Sequence, residues 1–184
     1  MIWNALVILS PGFEETEAVT VIDILRRASI PVTTASLSDN QAVKGSHGIT
    51  VIADTQLSST DTSLYNVLVL PGGLQGVENM LASQEILHLV IDIYRREGIL
   101  AAVCAAPLVL DAAGVLDHTA FTCHPTVRHR ILDHSNLKPE PFVCSGRIIT
   151  GRSAGCALNW AIALTEHLMG KVPEAFYAGL NSAE

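Results

Sequence analysis

Cys104 is the only reactive side chain in the run ILAAVCAAPLVL, residues 99–110, whose other eleven residues are apolar. The half before it, residues 99–103, reads as a buried strand. The half after it, residues 105–113, reads as a helix ending at Gly114. Cys104 therefore falls on a strand-to-helix turn like the nucleophile elbow of hydrolases, where a sharp backbone turn exposes the side chain. A helix N-terminus behind the sulfur would favour thiolate. The competing reading is a small buried hydrophobe, the commonest role of a free cysteine. Position alone does not separate the two.

Two further features gather at the same edge. Pro71-Gly72-Gly73 ends the preceding apolar run, and glycines there let backbone approach a ligand closely. The amides of Gly73 and Ala105 could then form an oxyanion hole for a carbonyl attacked by Cys104. The acidic group Glu14, Glu15 and Glu17 opens a helix, where carboxylates ordinarily just oppose the dipole. Glu17, however, directly precedes Ala18 on the apolar face. Partial burial would raise its pKa and fit it for proton transfer.

The histidines and remaining cysteines are weaker candidates. His124, beside Cys123 in TCHP, could reach Cys104, whereas His129 and His134 follow at five-residue intervals that share no helical face. A zinc site from Cys104, Cys123 and His124 matches no standard ligand spacing, so no metal is expected. His47, His88, His118 and His167 read as loop or helix-surface residues, and Cys144 and Cys156 as core.

The elements that must hold these groups alternate along the chain. A strand at residues 2–9 is followed by the helix EETEAVTVIDILRRAS, with Ala18, Val21, Ile22, Leu25 and Ala28 on one face. IPVTTASL and HGITVIAD read as strands, QLSSTDTSLY as polar loop, and NVLVL as a strand buried on both faces. ENMLASQEILHLVIDIYRREG reads as helix capped by Gly98. AFTCHP reads as a short strand, PFVCS and GRIITG as a hairpin, and AGCALNWAIALTEHLMG as a helix burying Ala157, Trp160, Ala161, Leu164 and Leu168 and closed by Gly170. Such alternation implies an α/β fold with a mostly parallel sheet covered on both faces, and sites at the carboxyl ends of its strands.

Bulk properties narrow the function classes. The 184 residues, 49% hydrophobic, suit one domain spanning 1–184 with a real core. A formal net charge of −7 with 11 Lys and Arg argues against a nucleic-acid footprint. The N-terminal apolar run is too short for a membrane span and lacks a charged leader, so a cytoplasmic protein is expected. Four cysteines without a C-x-x-C pair suggest reduced thiols. PGGLQG lacks dinucleotide-site spacing, and no cofactor is expected.

ALVILSPGFEETEAVTVIDILRRASIPVTTAS, NVLVLPGG, LAAVCAAP and CHP occur in the order and spacing of the ThiJ/PfpI superfamily, which the chain resembles nearly throughout, to at least Gly170. The resemblance is nearest the branch holding the parkinsonism-associated deglycase and the bacterial protein YajL. It implies a flavodoxin-like three-layer sandwich, usually a homodimer, with a reactive cysteine at the elbow. By position it implies Cys104 as nucleophile, Glu17 as the acid bonded to its sulfur, Gly73 and Ala105 as backbone donors, and His124 near the site. Gly72 and His47 are the candidate substrate contacts, His47 standing where the branch often has arginine. Ser153-Ala154-Gly155-Cys156 replaces the usual Gly-Pro-Gly-Thr. Family peptidases carry histidine directly after the cysteine; Ala105 stands there, so an amidase would need His124 from a distance. The resemblance implies a glyoxalase or deglycase acting on methylglyoxal-like dicarbonyls or their early adducts. The alternative is a redox-responsive chaperone or thiol sensor using the same cysteine.

Overall fold

The computed structural model describes residues 2–180. Five consecutive parallel pairings build its central sheet, in strand order β5-β2-β1-β6-β7-β9-β8. The strands are β1 (Ala5–Leu9), β2 (Val32–Ser36), β5 (Thr55–Gln56), β6 (Val67–Leu70), β7 (Ile99–Val103), β8 (Phe142–Ser145) and β9 (Ile148–Gly151). Only β8 runs antiparallel, through the expected hairpin with β9. A separate ribbon pairs β3 (Ala42–Lys44) with β4 (Thr50–Ile52).

Side-chain alternation along each strand divides the core in two. Leu6, Ile8, Leu68, Leu70, Leu100 and Ala102 face α2 (Leu74–Ala82), α3 (Gln84–Arg95) and α4 (Pro107–Ala112). Ala5, Val7, Leu9, Val67, Val69, Ala101 and Val103 face α1 (Glu15–Arg27) and α5 (Ala157–Met169). The molecule is thus the expected three-layer α/β/α sandwich. α5 buries Ala157, Trp160, Ala161, Leu164 and Leu168 and closes at Gly170 in the left-handed region, as its sequence implies. α1 buries Ala18, Val21, Ile24 and Leu25, while Ile22 and Ala28 are only half-buried.

Several expectations from sequence need correction. The long helix before β7 is two, because the Ser83 hydroxyl accepts the Ile86 N–H at 3.3 Å and starts α3 afresh. Ser83→Ala is expected to cost about 1 kcal/mol, measured by urea unfolding. HGITVIAD forms β4 in the side ribbon, and only residues beyond it enter the main sheet as β5. AFTCHP is no strand. It makes one isolated bridge, Phe121 to Leu137, and is held instead by the Thr122 N–H donating to the buried Thr150 hydroxyl at 2.8 Å. Cys144 is exposed, because β8 is an edge strand, and Cys156 is half-buried at the start of α5. A short α6 (Glu174–Leu180) follows the last expected helix.

Candidate active site

Three chain segments meet at the carboxyl edge of β1, β6 and β7, beside the point where strand order reverses between β1 and β6. β7 delivers Cys104, β6 delivers Gly72 and Gly73, and the turn after β1 delivers the first residues of α1. Cys104 has φ 63°, a left-handed conformation rare for a residue with a side chain. It is held there from both sides: its N–H donates to Gly151 O at 2.9 Å, and its carbonyl accepts the His124 N–H at 2.8 Å. The thiol is half-buried, and the backbone of Ala105 and Gly73 lowers its pKa.

Glu17 is fully buried, 0% exposed, and its Oε2 accepts the Gly72 N–H at 2.8 Å. Its Oε1 is buried without a conventional hydrogen-bond partner, and its carboxyl couples to the Cys104 thiol. Contact this close requires glycine at 72: a Cβ there would lie 2.5 Å from Glu17 Oε2 and 2.6 Å from Cys104 Cβ. Gly73, at φ 88°, is equally constrained, since its Cβ would meet Gly12 O at 2.3 Å.

The electrostatics of the pair differ from the expected simple thiolate. Burial, then the charge of Glu17 and its hydrogen bond, push the Cys104 thiol up to about 12 against the two amides. α4 begins only at Pro107 and has six residues, so little dipole opposes this. Burial also pushes Glu17 up to about 7, helped by the charge of Glu14 and opposed by the Gly72 amide and the thiol. Two of the three causes that raise Cys104 vanish when Glu17 is protonated. Cys104 and Glu17 therefore titrate as a unit, in which a single proton can reside on oxygen or on sulfur.

Glu15 is buried as well, which its sequence position does not announce. It accepts the His47 N–H at 2.6 Å, His47 Nδ1 at 2.9 Å, the Ser46 hydroxyl at 3.1 Å and the Ile49 N–H at 3.3 Å. Burial alone would raise its pKa, but these bonds outweigh burial and hold it at about 2. The ribbon loop is thereby pinned to the first turn of α1. His47 is itself exposed, its pKa raised by the hydrogen bond it donates to Glu15. It stands beside Glu14 and Glu15, with no hydrogen bond to Cys104 among the described residues. His124 meets the elbow through its backbone: its Nδ1 accepts the Thr126 N–H at 3.3 Å and lies 2.8 Å from the Thr126 hydroxyl. A surface cavity of about 560 Å³ between Leu57 and the Glu85, His88 and Asp92 side of α3 contains none of these groups. Among the described residues, no helix is long and apolar enough to cross a membrane.

The constellation has counterparts in known proteins. Residues 4–167 match the DJ-1/PfpI family. Protein dj-1beta of Drosophila melanogaster is 39% identical, over 91% of this chain and 90% of its own. Glutathione-independent glyoxalase DJR-1.2 of Caenorhabditis elegans is 29% identical, over 91% and 89%. The solved structure of oxidized Toxoplasma gondii DJ-1 superimposes with a TM-score of 0.87 at 29% identity, covering 92% of both chains. A doubly wound sheet, a strained cysteine at its elbow and a family match spanning most of the sequence converge on one conclusion: the chain belongs to the DJ-1/PfpI family.

Proposed function

We propose that the protein is a cysteine-dependent glyoxalase or deglycase that converts methylglyoxal-like dicarbonyls, free or as early adducts, without glutathione. The observation that carries this reading is the fully buried Glu17 carboxyl packed beside Cys104 across Gly72, where a Cβ would lie 2.5 Å from Glu17 Oε2 and 2.6 Å from Cys104 Cβ. The glyoxalase relative supports the substrate class. Cys104 sulfur bonds the aldehyde carbon of methylglyoxal, and the thiol proton ends on the aldehyde oxygen, giving a hemithioacetal. Glu17 as carboxylate then takes the C1 proton and returns it to C2, while the hydroxyl proton passes from the C1 oxygen to the C2 oxygen of the enediol. The product is a lactoyl thioester, which water hydrolyses to lactate and free thiol. Gly73 and Ala105 amides stabilise the oxyanions. A buried carboxyl at about 7 is matched to accept and return a proton near neutrality.

An amidase or peptidase is disfavoured. Its base would have to be His124, whose Nδ1 serves the turn that it caps. A second reading, thiol sensing or redox-controlled chaperoning, is supported by the same donors around sulfur. They would stabilise a Cys104 sulfinate as well as an oxyanion. A homodimer is the oligomer we expect. Val19 on α1 and Ile49 beside Glu15 are exposed apolar side chains available for such a contact.

The experiment is lactate formation from methylglyoxal by chelator-treated protein without glutathione. Steady lactate production is expected. Rapid alkylation of Cys104 near neutral pH without any lactate would instead leave the thiol-sensing reading standing.

A further inference from the structure

Glu14 occupies an unusual place in the row of acids. Its Oε2 accepts the Glu17 N–H at 2.7 Å, and its own N–H donates to Gly72 O at 3.0 Å. The Gly72 N–H in turn donates to Glu17 Oε2 at 2.8 Å. These three bonds close a ring through Glu14, Gly72 and Glu17 that fixes the Glu17 side chain beside the sulfur. The other oxygen of Glu14, Oε1, lies 3.9 Å from His47 Nδ1, and that nitrogen is 2.9 Å from Glu15 Oε2.

We propose that Glu14 is a positioning residue for Glu17: its carboxylate fixes the Glu17 backbone and sets a negative charge beside the buried Glu17 carboxyl, and protonated His47 weakens that second effect. The proposal rests on reading Glu17 as the proton carrier of the site.

A negative charge beside a carboxyl with no access to water penalises ionisation, because neither solvent nor salt screens the pair well. Burial is the largest influence on Glu17, and Glu14 adds to it in the same direction. Among the described residues, three further ionisable groups stand beside the pair. Cys104 comes from the β7 elbow, Glu15 from α1 itself and His47 from the ribbon loop. α5, packed on α1, buries only Ala157, Trp160, Ala161, Ala163, Leu164, Thr165 and Leu168 against the core. His47 is 73% exposed, so its charge is partly screened and its effect is the smaller one.

The test is a titration of the Glu17 carboxyl carbon by NMR in the wild type, Glu14→Gln and His47→Gln, without substrate. Glutamine at 14 keeps an oxygen for the Glu17 N–H and loses the charge. Its Glu17 midpoint is expected to fall by about half a pH unit or more, with thermal unfolding little changed. His47→Gln is expected to raise the midpoint by a smaller amount. A Glu14→Gln midpoint equal to the wild-type value overturns the proposal and leaves Glu14 as a helix cap alone. Should Glu14→Gln fail to fold, the exposed His47→Gln decides: no upward shift overturns the proposal. The titration involves no dicarbonyl. Expected shifts without lactate formation would contradict the enzyme reading alone, and lactate formation without shifts would contradict the role of Glu14 alone.

Discussion

Glu17→Gln is expected to lower lactate formation by about 10²–10⁴-fold, the range spanned by loss of a positioned general acid–base group. Glutamine matches glutamate in shape, so the Gly72 amide still finds an oxygen, but it cannot carry a proton from C1 to C2. The nucleophile should survive. Removing the Glu17 charge removes two of the causes that hold the Cys104 thiol high, leaving burial opposed by the Ala105 and Gly73 amides. Alkylation of Cys104 at neutral pH is therefore expected to be undiminished while turnover collapses. Stability should move the other way. A carboxyl raised from 4.5 to about 7 binds its proton more tightly in the folded state than in the unfolded one. Stability is then fullest below pH 4.5 and is lost as pH rises to 7 and beyond, a cost on the order of 3 kcal/mol for a shift of this size. Urea unfolding at pH 8 should find Glu17→Gln more stable than wild type. At pH 4 the gain should vanish.

Gly72→Ala is expected to have the second-largest effect. The added Cβ would lie 2.5 Å from Glu17 Oε2, 2.6 Å from Cys104 Cβ and 3.0 Å from Val103 O. Cys104 cannot yield, because its amide is bonded to Gly151 and its carbonyl to His124 at the end of a buried strand. The Glu17 carboxyl is displaced instead and loses the Gly72 N–H. Overpacking of this kind costs about 1–3 kcal/mol. A displacement of about 1 Å at reacting groups costs about 10²-fold in rate. Gly179→Ala, in α6 with nothing within 4 Å of its Cβ, is the control and should change neither. Full activity in Gly72→Ala would show that Cys104 and Glu17 need not touch.

Much of this arrangement is legible in the sequence because it follows from short-range patterns. Strands such as Val67–Leu70, buried on both faces, appear as unbroken apolar runs ending in turn residues. Cys104 stands out because it interrupts such a run where strand gives way to helix. The choice of Glu17 over its neighbours follows from its place directly before Ala18 on the apolar face of the helix. What sequence conceals depends on distant partners. Glu15 reads as a solvated helix-start carboxylate, yet it is buried by a ribbon loop more than thirty residues away that supplies four donor contacts. The ribbon strand Ala42–Lys44 is only three residues long, too short for periodicity to register. AFTCHP has the composition of a strand, but the Thr150 hydroxyl takes the place of a neighbouring strand for Thr122. The charge state of Cys104 is the largest difference. A helix start behind a cysteine suggests thiolate, but a six-residue helix is outweighed by burial and by a carboxyl arriving from another element.

The most direct measurement is a single-turnover experiment with carbon-13-labelled methylglyoxal, followed by NMR, on wild type, Glu17→Gln and Cys104→Ser without glutathione or metal. The account predicts a hemithioacetal on Cys104 that converts to lactate in wild type and accumulates unconverted in Glu17→Gln. Cys104→Ser should form neither. Lactate arising at the wild-type rate in Glu17→Gln, or an adduct that never converts in wild type, would contradict it.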